Sequence, residues 1–151
     1  MEIREYRESD LGDVVKLFYD TVHNVNIRDY TSEQVDAWAT GYVDMVVWNT
    51  SFKEHYTLVA CEGPVIIGFG DIDANGYLDR LYVHHKYQRR GVASALCDIL
   101  EFAVDAEKIV VHASVTAKPF FERRGYKVLR KQLVDRMGVM LPNYLMVLTK
   151  R

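Results

Sequence analysis

Cysteine is scarce in this chain, and its two cysteines are poorly placed for a disulfide framework or a metal site. Cys61 and Cys97 each lie within an apolar run, and they lack metal-ligand spacing. Because free cysteine is among the residue types most often buried, this placement favours two buried free thiols. We therefore expect no metal site and a reducing compartment.

Long hydrophobic runs and an excess of positive charge are also absent. The first ten residues, MEIREYRESD, lack the apolar segment of a signal peptide, and no run approaches the length that spans a bilayer. The formal net charge is −2, so the chain has no general attraction to nucleic acid and any anion site must be local. We expect a cytoplasmic protein that binds neither membranes nor nucleic acid.

Repeats, low-complexity tracts and long linkers are missing as well. The chain has 151 residues, of which 49% are hydrophobic, which is enough for one substantial core. A second folded domain does not fit within this length. The sequence therefore predicts one domain spanning residues 1–151.

Hydrophobic periodicity predicts alternating strands and helices. Residues 56–62 and 65–72 are rich in β-branched residues and are separated by Gly63-Pro64, which indicates a hairpin. Thr31, followed three residues later by Gln34, forms a capping-box pattern at a helix start. The remaining predicted elements are strands at 3–6, 77–83, 108–112, 126–134 and 144–149 and helices at 9–22, 92–105 and 116–124. Periodicity does not determine the type of segment 42–49.

This order of elements, βααβββαβαββ, predicts an α/β fold with one mixed, mostly antiparallel sheet flanked by helices. The strand at 77–83, the helix at 92–105 and the strand at 108–112 form a crossover, which favours parallel pairing of the two strands.

The junction between the strand at 77–83 and the following helix carries the most distinctive motif, QRRGVA, from Gln88 to Ala93. The first amides of a helix lack intrahelical acceptors and carry partial positive charge, so a phosphate can bind them. Gly91 lets a ligand approach the main chain, and Arg89 and Arg90 add charge that suits a diphosphate. Neither the P-loop string GxxxxGK[ST] nor the dinucleotide string GxGxxG is present.

Two blocks of sequence resemble one protein family. Residues 81–93, LYVHHKYQRRGVA, resemble the [QR]xxGx[GA] signature of the GNAT superfamily of acyl-CoA-dependent N-acetyltransferases, and residues 117–126, AKPFFERRGY, resemble its AxxFYxxxGF segment. The resemblance implies the GNAT-like fold for nearly the whole chain and acetyl-CoA as co-substrate. The coenzyme-binding residues that it implies are Leu81, Tyr82, Val83, Gln88, Arg89, Arg90, Gly91, Val92, Ala93, Ser94, Ser114, Phe120, Phe121 and Arg123.

The activity that the resemblance implies is transfer of an acetyl group from acetyl-CoA to a primary amine of a small molecule, an amino acid or a peptide, by direct attack in a ternary complex. In this family a main-chain amide of the strand binds the thioester oxygen, and here that amide is expected to be Val83 N–H. Relatives often form homodimers, so association of two copies is expected too. The alternative is a non-catalytic acyl-CoA sensor, because Phe121 occupies the position where many relatives have a tyrosine that protonates the leaving thiolate.

Proton transfer needs a base and, for the departing thiolate, an optional acid. Asp79 is our first candidate for the base, since it lies four residues before Val83 and is expected on the same face of the strand. His112 and His84 are alternatives. Tyr82 is the candidate acid, with Tyr144 as a second choice.

The acceptor pocket is expected in the helical first third of the chain. Aromatic walls with few polar anchors are common in small-molecule pockets, which selects His23, Tyr30 and Trp38 as candidates for substrate binding. Asp71 is a candidate for holding a cationic amine.

Overall fold

The computed structural model describes residues 1–150 and shows the predicted alternation of strands and helices. The strands are β1 (Glu2–Glu5), β2 (Tyr56–Glu62), β3 (Val65–Ile72), β4 (Tyr77–Val83), β5 (Lys108–Ser114), β6 (Lys127–Arg136) and β7 (Val139–Thr149). The helices are α1 (Leu11–Asn24), α2 (Ser32–Trp38), α3 (Met45–Glu54), α4 (Val92–Ala103) and α5 (Lys118–Arg123). The mixed α/β fold class is thereby confirmed.

Helix α3 is one element more than the predicted order contains. It begins inside the segment whose type periodicity did not determine, and the Asp44 side chain caps it by accepting from Val47 N at 3.1 Å. The capping box predicted at α2 is present, because Thr31 and Gln34 exchange side-chain and main-chain hydrogen bonds. The order between β1 and β2 is therefore three helices, not two.

All seven strands form one sheet in the order β1-β2-β3-β4-β5-β7-β6. Every neighbouring pair is antiparallel except β4 and β5, which run parallel as the crossover predicts. The β4–β5 pairing is short, because it includes only Tyr77 with Val110 and Leu78 with Val111. Beyond Leu78 the two strands separate, and the sheet has a cleft at its centre.

Strand β4 carries a β-bulge beside this cleft. Ile72 of β3 pairs with Leu78, but the preceding Asp71 pairs with Arg80, so Asp79 is an extra residue in the ladder. A bulge reverses the alternation of side chains that follows it. Leu78 and Val83 accordingly pack into the same core, although five positions separate them.

The two faces of the sheet bury separate hydrophobic cores. One core packs against α4 and α5 and includes Leu96 and Leu100, while the other packs against α1, α2 and α3 and includes Val14 and Phe52. Each such fully buried side chain contributes about 1.5–3 kcal/mol to stability. Gly68 of β3 permits close approach of α4, since a Cβ there would lie 2.9 Å from Val92 Cγ1.

The C-terminal hairpin joins β6 and β7 through Met137 and Gly138, which both have positive φ, at 54° and 83°. Strand β7 begins at Val139, five residues before the predicted start, and contains Pro142. The Pro142 carbonyl points toward the β5 side, where it accepts from Tyr30, and the last β5–β7 pair is Ser114 with Asn143. The missing N–H of the proline therefore lies beyond the β5 ladder and breaks no strand pairing.

The predicted state of the cysteines is confirmed, since Cys61 and Cys97 are both free and buried. Among residues 1–150, no helix combines the length and apolar character that crossing a bilayer requires.

Candidate active site

The cleft between β4 and β5 passes through the sheet and has a volume of about 1210 Å³. Small-molecule sites typically measure about 300–1,000 Å³, so this cleft exceeds the usual size for one ligand. Its walls come from the end of β4, the end of β5, the start of α4, helix α5 and the α1–α2 region. It therefore has space for more than one small molecule, and residues from both faces of the sheet line it.

The predicted phosphate cradle has the backbone geometry of an anion site. Arg89 and Gly91 have positive φ, at 63° and 81°, and Gly91 is the N-cap of α4. No side chain of the described residues caps this helix, so the amides of Val92, Ala93 and Ser94 have no acceptor there. Successive amides in alternating right- and left-handed conformations form a concave anion-binding nest.

Arg123 and Arg124, at the end of α5, differ in their ion-pair partners. Arg123 is exposed at the cleft and forms no ion pair within residues 1–150. Arg124 forms a two-pronged pair with Glu101, at 2.7 and 3.2 Å, and a further bond to Asp98 at 2.9 Å. Arg123 is thus free to meet an anion, whereas Arg124 holds α5 against α4.

The edge of β4 presents main-chain donors to the cleft. His84 N donates to Ile67 O of β3 at 2.8 Å, and alternation in an antiparallel ladder turns the N–H groups of Val83 and Leu81 the other way. Strand β5 does not pair with them, because its ladder with β4 ends at Leu78. The structure thus places the predicted Val83 amide at the cleft and adds the Leu81 amide beside it.

The Val83 carbonyl is held from two sides. The Gln88 side chain donates to it at 2.6 Å, and Thr21 Oγ1 of α1 donates at 3.3 Å. Gln88 belongs to the recognised motif, but the role of Thr21 depends on a contact across 62 positions that no local pattern reveals.

Asp79 lines the cleft, but on the face opposite to the predicted one. The bulge turns its carboxylate toward the α1–α3 face, where Oδ2 lies 3.6 Å from Arg80 Nη1 and 4.0 Å from His55 Nδ1. The expectation that Asp79 shares a face with Val83 is therefore wrong. Burial raises the pKa of the Asp79 carboxyl, and Arg80 partly offsets this rise.

Asp71 is fully buried, so it is not placed to receive a substrate amine directly. Its Oδ2 accepts from Arg80 Nη1 at 2.6 Å and contacts His55 Nδ1 at 2.8 Å, while its Oδ1 has no hydrogen-bond partner in the described part of the chain. The Asp71 hydrogen bond raises the pKa of His55. Ligand atoms of His55, Asp71 and Asp79 lie within 4.8 Å of one another, but the Arg80 guanidinium already supplies the cation that such a group needs.

The two histidines that compete with Asp79 differ in position. His112 lines the cleft and its Nδ1 lies 2.6 Å from Gln132 Nε2, and burial lowers its pKa. His84 lies outside the cleft lining; its Nδ1 accepts from Lys86 N at 3.0 Å, and burial lowers its pKa too. Of the two candidate histidines, His112 alone therefore lines the cleft.

The aromatic residues of the cleft have packing roles. Phe121 is 2% exposed and meets Tyr126 at a ring distance of 4.9 Å, whereas Phe120 is only partly buried. Tyr82 stacks on Phe69 at 5.6 Å, and burial raises the pKa of its hydroxyl, which keeps that group protonated.

Ser114 and Thr116 contribute hydroxyl groups to the cleft wall. Ser114 Oγ accepts from Ala117 N at 3.0 Å and so supports the start of α5. Thr116 Oγ1 is buried and has no hydrogen-bond partner among residues 1–150, and no motif in the sequence indicates this residue. A polar ligand in the cleft would meet both groups.

Of the predicted acceptor residues, the structure brings only Trp38 into the cleft. The Tyr30 hydroxyl donates to Pro142 O at 2.7 Å and accepts from Val115 N at 2.9 Å, so it joins β7 to the end of β5. His23 lies outside the cleft, with Nε2 2.8 Å from Ala39 O. Arg28 also lies at the cleft wall, and no motif in the sequence indicates it.

Comparison with known proteins agrees with this geometry. Residues 26–148 match the acetyltransferase (GNAT) domain family. The chain is 33% identical to the uncharacterized N-acetyltransferase YafP of Escherichia coli strain K12, over 97% of this chain and 94% of that protein.

Solved structures give the same result. A GCN5-related N-acetyltransferase from Rhodopseudomonas palustris is 30% identical, with a TM-score of 0.92 and coverage of 98% of this chain and 94% of that one. The PaiA N-acetyltransferase of Thermoplasma acidophilum, solved in complex with coenzyme A, is 17% identical, with a TM-score of 0.77 and 98% coverage of both chains, and shares the fold. From the matched domain and these relatives, the chain belongs to the GNAT acetyltransferase family.

Proposed function

We propose that this protein transfers an acetyl group from acetyl-CoA to a primary amine of a small molecule, an amino acid or a peptide. One observation carries the proposal: the free main-chain amides of β4 lead, along one continuous cleft, to the uncapped start of α4. This arrangement matches a ligand with a diphosphate at one end and an extended, amide-containing arm at the other. The coenzyme A bound to the Thermoplasma relative supports the same choice of ligand.

In this proposal the diphosphate binds the nest formed by Gln88 to Ser94, with Arg89, Arg90 and Arg123 adding charge from the side. The arm pairs with the edge of β4 as an added strand would, through the amides of Leu81 and Val83. Ser114, Thr116 and Phe120 form the opposite wall.

The acceptor enters from the face that α1 and α2 cover. Trp38 and His112 line the cleft there, and the bulge turns Asp79 to the same face. The two substrates therefore approach the gap from opposite sides, which supports direct attack in a ternary complex over a covalent intermediate on the protein.

Asp79 acts as the base in this scheme. An amine with a pKa near 10 is mostly protonated at neutral pH, and a carboxylate with a raised pKa is a better acceptor for its proton than an ordinary one. As that proton passes to Asp79, the amine nitrogen bonds to the thioester carbonyl carbon, whose oxygen accepts from the Val83 amide, with the Leu81 amide beside it. The carbon–sulfur bond then breaks.

The leaving sulfur takes a proton from Tyr82 or from water, and the second proton that the attacking nitrogen loses restores that donor. Phe121 cannot supply it, because it lacks a hydroxyl and packs into the core. The Tyr82 hydroxyl stays protonated at neutral pH, but burial raises its pKa and makes it a weaker acid than an ordinary tyrosine, so water is the other source of this proton.

A measurement of coenzyme A release tests this function. Purified protein, acetyl-CoA and a panel of primary amines are combined with a thiol reagent, and calorimetry measures acetyl-CoA binding separately. Amine-dependent thiol release with an acetylated product in the mass spectrum supports the enzyme. Binding of acetyl-CoA without any amine-dependent release supports the alternative, an acyl-CoA sensor, and the absence of both overturns the coenzyme assignment as well.

A further inference from the structure

We propose that His55, anchored by the buried Asp71, is a positioning residue that keeps Asp79 ionised as the base. The proposal rests on the proposed acetyl transfer and assigns a role to residues outside the recognised motifs.

The position of His55 is fixed from both ends. It follows α3 directly, and its main-chain N–H donates to Ser51 O at 3.0 Å. Its side chain is anchored by the bond between Nδ1 and Asp71 Oδ2 at 2.8 Å. This geometry leaves Nδ1 4.0 Å from Asp79 Oδ2.

Burial of the Asp71 carboxylate is expected to destabilise the fold. It is 0% exposed, and one of its carboxylate oxygens has no hydrogen-bond partner within the described residues 1–150. Buried carboxylates that lack full hydrogen bonding destabilise a fold, and such groups in native proteins call for a functional explanation. Asp71 holds two cations, His55 and Arg80, beside Asp79, which provides that explanation.

Arg80 supplies a permanent charge at this place. Its guanidinium lies over the rings of Trp48 and Phe52, at 4.6 and 4.7 Å, so its orientation is fixed. Because arginine stays protonated at every relevant pH, its effect on the pKa of Asp79 does not change with pH. His55 is the cation of the group that can change its charge.

The remaining charges around Asp79 do not replace His55. The groups that act on Asp79 or His55 are Arg80 and Tyr77 of β4, Asp71 of β3, Asp73 of the following turn, and His112 of β5. Tyr77 has a raised pKa and is neutral, Asp71 and Asp73 are carboxyl groups that cannot carry a positive charge, and His112 has a lowered pKa and is neutral near pH 7.

The sign of the effect follows from these charges. Protonated His55 favours the ionised form of Asp79, so it extends the pH range of the active base downward. When the positive charge of His55 is removed, burial and Asp71 still raise the pKa of Asp79, and His55 no longer lowers it. A nearby opposite charge shifts a carboxyl by about 1–3 pH units, and removal of one of two such charges is expected to move Asp79 upward by about one unit.

His55→Asn tests the proposal, because asparagine keeps a donor near the Nδ1 position and removes the charge. We expect both the acid limb of kcat/KM and the carboxyl ¹³C titration of Asp79, assigned with Asp79→Asn, to move upward by about one pH unit. The rate on the high-pH plateau is expected to stay within about threefold, since the base is then ionised. His55→Gln serves as a second variant if the first is unstable, and His23→Asn, outside the cleft, is the matched control.

A titration of Asp79 that does not move in either His55 variant overturns the proposal, as does an equal shift in the His23 control. Failure of the base assignment itself gives a different result. In that case Asp79→Asn retains full activity, while the NMR titration still reports whether His55 acts on Asp79. Thermal midpoints and coenzyme affinities of the folded variants identify any general loss of structure.

Discussion

The side-chain amide of Gln88 donates to the main-chain oxygen of Val83 at 2.6 Å. This bond joins the phosphate nest to the strand whose amides face the cleft, so the spacing between the two is fixed before a ligand arrives. A ligand that contacts both parts gains affinity from this preorganisation.

Gln88→Met tests the value of this bond, because methionine has a similar length and no donor. A net hydrogen bond contributes about 0.5–1.5 kcal/mol, so we expect coenzyme A affinity to fall by about three- to tenfold in calorimetry. Gln34→Met, which breaks the distant capping box of α2, is expected to lower the thermal midpoint and leave that affinity unchanged. Unchanged binding in Gln88→Met would contradict the bridging role.

Gly91→Val is expected to abolish most coenzyme A binding. At φ 81° a β-branched residue is strained by about 1–3 kcal/mol, and relief of that strain distorts the nest. Gly63→Val is a matched control, since Gly63 has φ 58° at the β2–β3 turn and, like Gly91, open space around an added Cβ. Calorimetry and thermal melts should show that both variants lose stability but only Gly91→Val loses affinity.

Arg123→Gln and Arg124→Gln are expected to separate binding from stability. Arg123 has no ion-pair partner in residues 1–150 and is exposed at the cleft, so its loss weakens coenzyme A binding by up to about tenfold and reduces the salt dependence. Arg124 holds Glu101 and Asp98, so its loss lowers the thermal midpoint. The reverse pattern in calorimetry and melting experiments would refute the assignment.

Asp79→Asn is expected to lower kcat by about 10²–10⁴-fold with little change in coenzyme A affinity, as for loss of a general base. Because burial raises the pKa of Asp79, the wild-type rate should rise with pH through a pKa that is higher than the ordinary aspartate value of about 4. That limb should vanish in the variant. Asp13→Asn, on the exposed side of α1, is the control, and an unchanged profile in Asp79→Asn would remove Asp79 from the mechanism.

Asp10 should contribute stability that depends on pH. It accepts from Arg4 at 2.8 and 2.9 Å and from Arg7 N at 2.8 Å, and the Arg4 bond lowers its pKa in the folded state. The contribution is complete above the unfolded pKa, about 4, and is lost as the pH falls through the lower folded value.

Denaturant titrations of wild type and Asp10→Asn should therefore differ by about 1–3 kcal/mol at pH 7, and the difference should shrink below about pH 4. Asp20→Asn, which removes a surface pair with Lys16, should change stability by less than about 1 kcal/mol at either pH. A difference that is independent of pH would show that Asp10 acts by packing and not by charge.

The parts of the site that local sequence determines were predictable. Gly91 marks a helix start because only glycine readily adopts its backbone angles, and the residues around it carry a motif of six positions. The strand at 77–83 matched the structure to the residue, and the turn pair Asn75-Gly76 comes directly before it.

The parts that depend on pairing between distant segments were not predictable. The face of Asp79 depends on a bulge whose register is set by β3, and His55 reaches Asp71 across sixteen positions at a helix–strand junction. Strand β7 extends past Pro142 because β5 ends beside it, which the sequence of β7 alone does not show. Tyr30 and His23 are residue types that often line pockets. In this structure, however, the Tyr30 hydroxyl bonds to Pro142 O and His23 Nε2 bonds to Ala39 O.

The single extra residue in β4 has one more consequence. Main-chain donors at the strand edge do not change when side chains are replaced, whereas the bulge turns the side chain of Asp79, the proposed base, to the α1–α3 face. In the proposed enzyme, substitutions around Asp79 on that face would alter the choice of amine, while the main-chain site for the acyl donor would be retained.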